Sequence, residues 1–151
     1  MRPLDVPAVH TPAPHWRRDV KRVLIVDDDD AFRAFTERVL KYAGYDTLKA
    51  CSGLEAIDTA SSVGRLDLLL TDFAMPQMTG DELGRRLRRT DSDLKILYLT
   101  GFSDDLFRRK MTLWDREGYL DKPCSIRGLL EAVSLLLCGS TTPVETTPFA
   151  L

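Results

Sequence analysis

The sequence has few of the features that mark secreted, membrane-bound or zinc-binding proteins. It contains only three cysteines, Cys51, Cys124 and Cys138, and they form no CxxC pair. An odd number of widely spaced cysteines argues against a disulfide framework or a zinc site, so we expect free thiols and a cytoplasmic location. No segment approaches the roughly 18 apolar residues of a membrane helix. The prolines near the start interrupt any signal peptide, so we expect none.

The sequence also lacks an excess of charge of one sign. Its 21 lysines and arginines nearly balance 23 aspartates and glutamates, which gives a net charge of −2. Such a chain has no broad basic field to attract nucleic acid or a membrane surface. Four arginines lie within residues 85–89, but no helix-turn-helix pair follows, so solvated helix faces or a protein-docking rim explain them better. We therefore expect proteins, and neither nucleic acid nor membranes, as direct partners.

The 151 residues suit one domain with a full hydrophobic core. Residues 1–20 hold four prolines and no hydrophobic periodicity, which predicts a flexible N-terminal arm. Residues 139–151 are predicted to form a flexible C-terminal tail. The folded domain is therefore predicted to span residues 21–138.

Within this domain, short apolar runs alternate with segments of helical periodicity. Strands are predicted at 22–26, 45–50, 66–71, 95–99 and 118–121, and helices at 31–42, 52–62, 79–89, 103–114 and 125–137. Regular alternation with short links predicts an α/β fold, a doubly wound five-stranded parallel sheet covered on both faces. In the strand order 2-1-3-4-5, the first and third strands lie side by side at a switch point.

Five polar residues stand at the carboxyl ends of these predicted strands. They are Asp27, Asp28, Asp72, Thr100 and Lys122. Ligands of open parallel sheets bind at this edge. Carboxylates suit a hard divalent cation such as Mg²⁺ or Mn²⁺, and a carboxylate can attack phosphorus to give an aspartyl-phosphate. An ammonium and a hydroxyl suit the charge on a transferring phosphoryl group.

Each of these residues also has an ordinary structural explanation. The DDDD run at 27–30 resembles a solvated turn with Asp29 or Asp30 capping the next helix. Lys122 precedes a proline, which merely biases it toward extended geometry. Thr100 could simply end a strand. The joint arrangement, rather than any single residue, favours a site for a cation and a phosphoryl group.

Four stretches of the chain together resemble the receiver domain of bacterial two-component response regulators. They are VLIVDDDD (23–30), LLLTDFAMPQMTGDEL (68–83), ILYLTG (96–101) and GYLDKP (118–123). The resemblance covers nearly the whole predicted domain and implies a flavodoxin-like receiver fold. The sequence of residues 66–105 is also similar to the sequences of receivers attached to hybrid histidine kinases.

The resemblance implies a role for each residue at the strand ends. Asp72 would be the phosphoacceptor, and Asp27 and Asp28 the acid pair that holds Mg²⁺ together with Asp72. The backbone carbonyl of Ala74 would be a further ligand of the ion.

The resemblance also implies a switch. Thr100 and Lys122 would contact the phosphoryl group, and Tyr119 matches an aromatic residue that turns inward as the threonine moves. Ala74 and Phe102 are apolar where polar residues can orient the water that hydrolyses the aspartyl-phosphate. We therefore expect slow self-dephosphorylation. Cys124 stands where the family commonly has phenylalanine, which we expect to alter packing rather than chemistry.

The function expected from these observations is a phosphoryl-accepting receiver in a phosphorelay. It would take its phosphoryl group from a histidine kinase or a histidine phosphotransfer protein and signal to an unknown downstream protein, with phosphorylation-dependent homodimers possible. We expect no enzymatic activity beyond Mg²⁺-dependent self-phosphorylation and self-dephosphorylation.

Three other functions stay open on the sequence. The chain could be a receiver of a hybrid histidine kinase system or a phosphate sink. It could be an aspartate-nucleophile phosphatase, although such enzymes typically carry the nucleophile after the first strand. It could be a pseudo-receiver that only binds partners, which would not need the complete acid and lysine set.

Overall fold

The structure is a computed structural model that describes residues 19–101 and 116–139. The predicted helix at 103–114, most of the predicted arm and almost all of the predicted tail lie outside these residues. The predicted domain boundaries therefore stay predictions.

The described residues form a five-stranded sheet in the order β2-β1-β3-β4-β5. The strands are β1 (Arg22–Val26), β2 (Asp46–Ala50), β3 (Leu68–Asp72), β4 (Lys95–Thr100) and β5 (Glu117–Asp121). All neighbouring strands pair in parallel, so the predicted fold class and strand order are confirmed. The third strand starts two residues later than predicted and includes Asp72 as its last residue.

Four helices lie within the described ranges. They are α1 (Asp30–Tyr42), α2 (Gly53–Val63), α3 (Gly80–Arg88) and α4 (Ile126–Cys138). Side-chain caps start them as their sequences predict: Asp29 accepts hydrogen bonds from the first turn of α1, and Ser125 does so for α4.

Only half of a capping box forms at the start of α2. Ser52 Oγ accepts from the backbone N–H of Glu55 at 3.2 Å. The Glu55 carboxylate, however, accepts from the backbone N–H of Cys51, also at 3.2 Å, and not from that of Ser52. The Cys51 thiol also donates to the Glu55 carboxylate, at 2.7 Å.

The helices cover both faces of the sheet. Alternate strand residues such as Leu24 and Leu69 pack with α2 and α3 on one face. Their neighbours Ile25 and Leu70 pack with α1 and α4 on the other. The central strands are buried on both faces, which fixes the positions of the residues that follow them at the carboxyl edge.

Candidate functional site

Three carboxylates converge at the carboxyl edge of the sheet. Oxygen atoms of Asp27, Asp28 and Asp72 all lie within 4.8 Å of one another. The cause is the register of the sheet: β1 pairs directly with β3, with Val26 opposite Thr71. The residues that follow these partners therefore end up side by side. The structure thus brings together the three acids that the sequence singled out.

Asp27 is the most firmly held member of the group, with only 1% of its surface exposed. Its Oδ1 accepts from the backbone N–H of Asp29 at 2.9 Å. Its Oδ2 accepts from the ammonium of Lys122 at 2.6 Å. Its backbone carbonyl accepts from the Arg33 guanidinium at 2.6 Å. A buried carboxylate requires such partners, and here they also fix its orientation.

Lys122 places its ammonium between two of the acids. Nζ lies 2.6 Å from Asp27 Oδ2 and 3.7 Å from Asp72 Oδ2. It also lies 4.3 Å from the centre of the Phe32 ring, which is within range of a cation–π attraction. The backbone N–H of Lys122 donates to the carbonyl of Thr100 at 2.9 Å, which ties the end of β5 to the end of β4.

Asp72 carries a perturbed carboxyl group. Burial is the largest cause and raises its pKa to about 6, and the neighbouring charges of Asp27 and Asp28 act in the same direction. The Lys122 ammonium and a hydrogen bond from the backbone N–H of Ala74 lower the pKa and oppose part of this rise. The ionised form that predominates at neutral pH is therefore held at an energetic disadvantage, which an added cation would relieve.

Thr100 and Tyr119, the predicted switch pair, lie on neighbouring strands. Thr100 is the last residue of β4 and is buried, in register with Asp121 of β5. Tyr119 lies on β5 and is 40% exposed. The structure therefore shows the tyrosine in an outward position.

The loop between β3 and α3 passes close to Asp72, and glycine is required where it enters the helix. A Cβ on Gly80 would lie 2.4 Å from the backbone carbonyl oxygen of Asp72. Gly80 itself is not left-handed, because the left-handed residue of the loop is Gln77, with φ 67°. Close approach of the backbone is the actual reason.

The same loop also rests on α2. A Cβ on Gly53, the first residue of that helix, would lie 2.6 Å from the sulfur of Met78. Met78 is buried in the core on that face of the sheet. The loop after Asp72 is therefore packed against the backbone of α2.

Two residues of the site were not singled out as site residues by the sequence. Phe32 has the spacing of an ordinary core residue of α1, although its ring faces the Lys122 ammonium. Arg33 follows it and binds the Asp27 carbonyl. No sequence pattern marks a helical arginine for such a contact, because the contact depends on the direction of α1 relative to β1.

The basic run of α3 is largely engaged in local contacts. Arg85 and Arg86 form ion pairs with acids one turn earlier, Asp81 and Glu82. Arg88 instead turns toward the sheet and pairs with Glu117 of β5 at 3.0 Å. These contacts agree with helix faces stabilised by internal pairing.

In the parts of the chain that the structure describes, no helix combines the length and the apolar character needed to span a bilayer.

Comparison with known proteins gives consistent matches over this domain. The chain is 36% identical over 116 residues to the sensor kinase CckA of Brucella abortus (strain 2308), covering 76% of this chain and 12% of that protein. It is 34% identical over 121 residues to the response regulator receiver protein CpdR of the same organism, covering 80% of this chain and 100% of CpdR. The match thus spans a small part of the kinase and the whole of CpdR.

The fold is also similar to that of solved receiver structures. The response regulator TrrA of Thermotoga maritima, solved in complex with Mg(2+)-BeF, aligns with a TM-score of 0.69 and 33% identity over 78% of this chain and 100% of TrrA. The family model of the response regulator receiver domain matches residues 23–134. That range contains Asp27, Asp28, Asp72 and Lys122. The chain therefore belongs to the response regulator receiver domain family.

Proposed function

We propose that Asp72 accepts a phosphoryl group from a phosphohistidine and that the modified residue changes the surface that partners recognise. The observation that carries this proposal is the convergence of three carboxylates and the Lys122 ammonium on one edge of the sheet. Receiver domains are signalling modules, so the proposed chemistry is a single modification that is later reversed, not multiple turnover of a substrate.

In the proposed step an ionised oxygen of Asp72 attacks the phosphorus of phosphohistidine. The new O–P bond forms as the N–P bond breaks, and the imidazole of the donor leaves with the bonding electron pair and takes up a proton. Lys122 lies close enough to Asp72 to stabilise the negative charge on the transferred group. The Thr100 hydroxyl, at the end of the adjacent strand, is proposed to donate to a phosphoryl oxygen.

The donor set fits Mg²⁺, with Mn²⁺ as a substitute. Asp27, Asp28 and Asp72 provide hard oxygen ligands, and the carbonyl of Ala74 is proposed as a fourth. The raised pKa of Asp72 is the electrostatic signature of a site that a cation would stabilise. Such an ion, when bound, neutralises charge on the acids and the phosphoryl group. The Mg(2+)-BeF complex of TrrA supports this assignment by similarity.

The proposed output is a movement of Thr100 toward the phosphoryl group, with Tyr119 turning from its exposed position toward the space that the threonine leaves. A group carrying nearly two negative charges is sufficient to bias such a two-state arrangement. The proposed donors are a histidine kinase or a phosphotransfer protein in the cytoplasm. The proposed receivers of the signal are a downstream protein or a second copy of the chain.

A related candidate is a receiver acting within a hybrid histidine kinase system, as a relay or a phosphate sink. The similarity to part of CckA favours it. The match to the full length of CpdR favours an independent receiver instead. The two differ in whether phosphate on Asp72 passes back to a histidine.

The test is incubation of the protein with acetyl phosphate and Mg²⁺, followed by intact-mass measurement. The expected result is a gain of one phosphoryl group that is absent in Asp72→Asn and absent when a chelator removes the cation. Asp58→Asn, which changes an exposed acid of α2, serves as the matched control and should still be modified.

Two results would contradict the proposal. A folded protein that gains no mass with acetyl phosphate or with a panel of histidine kinases would favour a pseudo-receiver that only binds partners. A protein that hydrolyses small phosphate esters with multiple turnover would favour an aspartate-nucleophile phosphatase.

A further inference from the structure

The described part of the protein has an apolar groove far from the acids, between the C-terminal halves of α2 and α3. Its floor is formed by Ile57 and Ala60 of α2, Leu87 of α3, and Leu66 and Leu94, which precede β3 and β4. The groove has a volume of about 470 Å³ and a polar rim that includes Arg86 and Asp91. An apolar recess with a polar rim is the form of site that takes an aromatic anchor from a protein chain.

The start of the folded domain lies directly beside this groove. The Arg22 guanidinium donates to the carbonyl of Val63 at 2.9 Å, and Gly64, the next residue, lines the groove. The backbone N–H of Arg22 donates to Asp67 Oδ2 at 2.8 Å, and Leu66, the residue before Asp67, lines the groove as well. Arg22, the first residue of β1, therefore contacts the sequence neighbours of two groove residues, Gly64 and Leu66.

Eighteen residues precede Asp19, the first residue that the structure describes. Trp16 lies six positions before Arg22, and an extended chain covers roughly 3.3 Å per residue, so Trp16 can reach about 20 Å from that point. Groove residues Gly64 and Leu66 are adjacent in sequence to residues that Arg22 contacts directly, so the groove lies well within this distance. Tryptophan is also one of the aromatic side chains that dominate the energetics of such interfaces.

The surface between Lys21 and the groove is polar. A second depression, lined by Lys21, Asp67 and Asp91 among others, shares Leu66 and Asp91 with the groove. A chain that leaves Lys21 along this depression arrives at Asp91 on the groove rim. Arg17 and Arg18 follow Trp16 directly, so they would meet Asp91 if Trp16 lies in the groove.

We infer that residues 1–18 bind the groove between α2 and α3 as an intramolecular ligand, with Trp16 as the anchor. The arm then links the two helices on one face of the sheet, at the end opposite the carboxylates. This interaction does not depend on phosphorylation of Asp72.

Fluorescence of the full chain tests the inference, because the chain has only two tryptophans. In a Trp114→Phe background Trp16 is the single tryptophan. We expect its emission at shorter wavelength than that of a free indole in water, and quenching by acrylamide several-fold weaker. Ala60→Arg places a long charged side chain in the groove and should shift the emission to longer wavelength. Ser62→Arg, on the exposed side of the same helix, should leave it unchanged.

A second measurement avoids any change to the groove itself. Trp16→Ala in the otherwise unaltered chain should change the amide NMR shifts of Ile57, Ala60 and Leu87, residues far from position 16 in the sequence. Shift changes confined to residues near position 16 would overturn the inference.

Two fluorescence outcomes would also overturn it. Emission typical of solvated indole would show that Trp16 does not occupy the groove and would leave it for another protein. A blue shift that disappears on dilution would show that a second copy of the chain, and not the same molecule, supplies Trp16.

Discussion

The Lys122 ammonium lies 2.6 Å from a carboxylate oxygen of Asp27, a residue 95 positions earlier in the chain. Asp27 is almost fully buried, and the Lys122 side chain is only 20% exposed. Removing one partner of such a pair leaves the other charge buried and uncompensated. This contact therefore makes a stability contribution that an exposed ion pair would not make.

We expect Lys122→Ala to lower the free energy of unfolding by about 3 kcal/mol in the absence of divalent cations. Saturating Mg²⁺ should recover part of this loss, because the cation then neutralises the acids. Urea denaturation with and without Mg²⁺ measures both effects. Arg127→Ala removes the partner of Glu131 in an exposed pair and should cost about 0.5 kcal/mol or less. Equal losses in the two variants would contradict the importance of burial at Lys122.

The pKa of Asp72 predicts a pH-dependent stability. Its folded pKa of about 6 lies above the ordinary value of 3.8. The folded state therefore keeps a proton on Asp72 that the unfolded state loses in this window. The contribution of Asp72 to stability is fully present below pH 3.8 and is lost as the pH rises through 6. The loss amounts to about 3 kcal/mol if the full shift is realised.

Asp72→Asn should remove this dependence, since the amide does not ionise. We expect the variant to be more stable than the wild type at pH 7 and to lose that advantage as the pH falls to about 4. Urea denaturation at a series of pH values measures the difference. A difference that stays constant across the window would show that Asp72 is not the group responsible.

The close approach at Gly80 predicts a local and damaging effect of a single methyl group. Gly80→Ala places a Cβ against the backbone oxygen of Asp72, so the strand end or the helix start must move. We expect a loss of about 1–3 kcal/mol in stability and slower phosphorylation by acetyl phosphate. Gly101→Ala is a matched control, because a Cβ there meets no atom of the described residues within 4 Å. Equal effects of the two substitutions would argue against the steric explanation.

The apolar side chain of Ala74 predicts a long-lived aspartyl-phosphate. Ala74 is exposed beside Asp72 and offers no polar atom of its side chain to position a water molecule. Ala74→Asn, alone or with Phe102→Glu, should therefore accelerate the loss of the phosphoryl group in an intact-mass time course. Phe102 lies outside the described residues. Gln77→Asn, in the same loop, is the control, and unchanged decay in the Ala74 variants would contradict the prediction.

The sequence predicted the sheet and the acids for a clear physical reason. Strands such as Leu68–Asp72 are largely apolar runs buried on both faces, so the sequence identifies them readily as strands. The change from apolar to polar residues marks where each strand ends. Parallel pairing then requires the ends to meet at one edge, so Asp27 and Asp72 could be placed together without coordinates.

The contacts around these residues were harder to predict from the sequence. The Arg33 bond to the Asp27 carbonyl and the Phe32 ring beside Lys122 depend on the direction in which α1 leaves the sheet. The requirement for Gly80 depends on how closely the loop backbone approaches the carbonyl oxygen of Asp72. Hydrophobic periodicity carries no information about either quantity.

The packing of Met78 on Gly53 has a consequence for signal output. Because protein interiors are close-packed, a loop movement that displaces Met78 must either move the first turn of α2 or open a void beneath it. Helix α2 is thus mechanically coupled to the segment that follows Asp72. Gly53 has no side chain that could absorb the movement of Met78. We therefore expect a partner that binds α2 to respond to phosphorylation of Asp72 even when Tyr119 does not move.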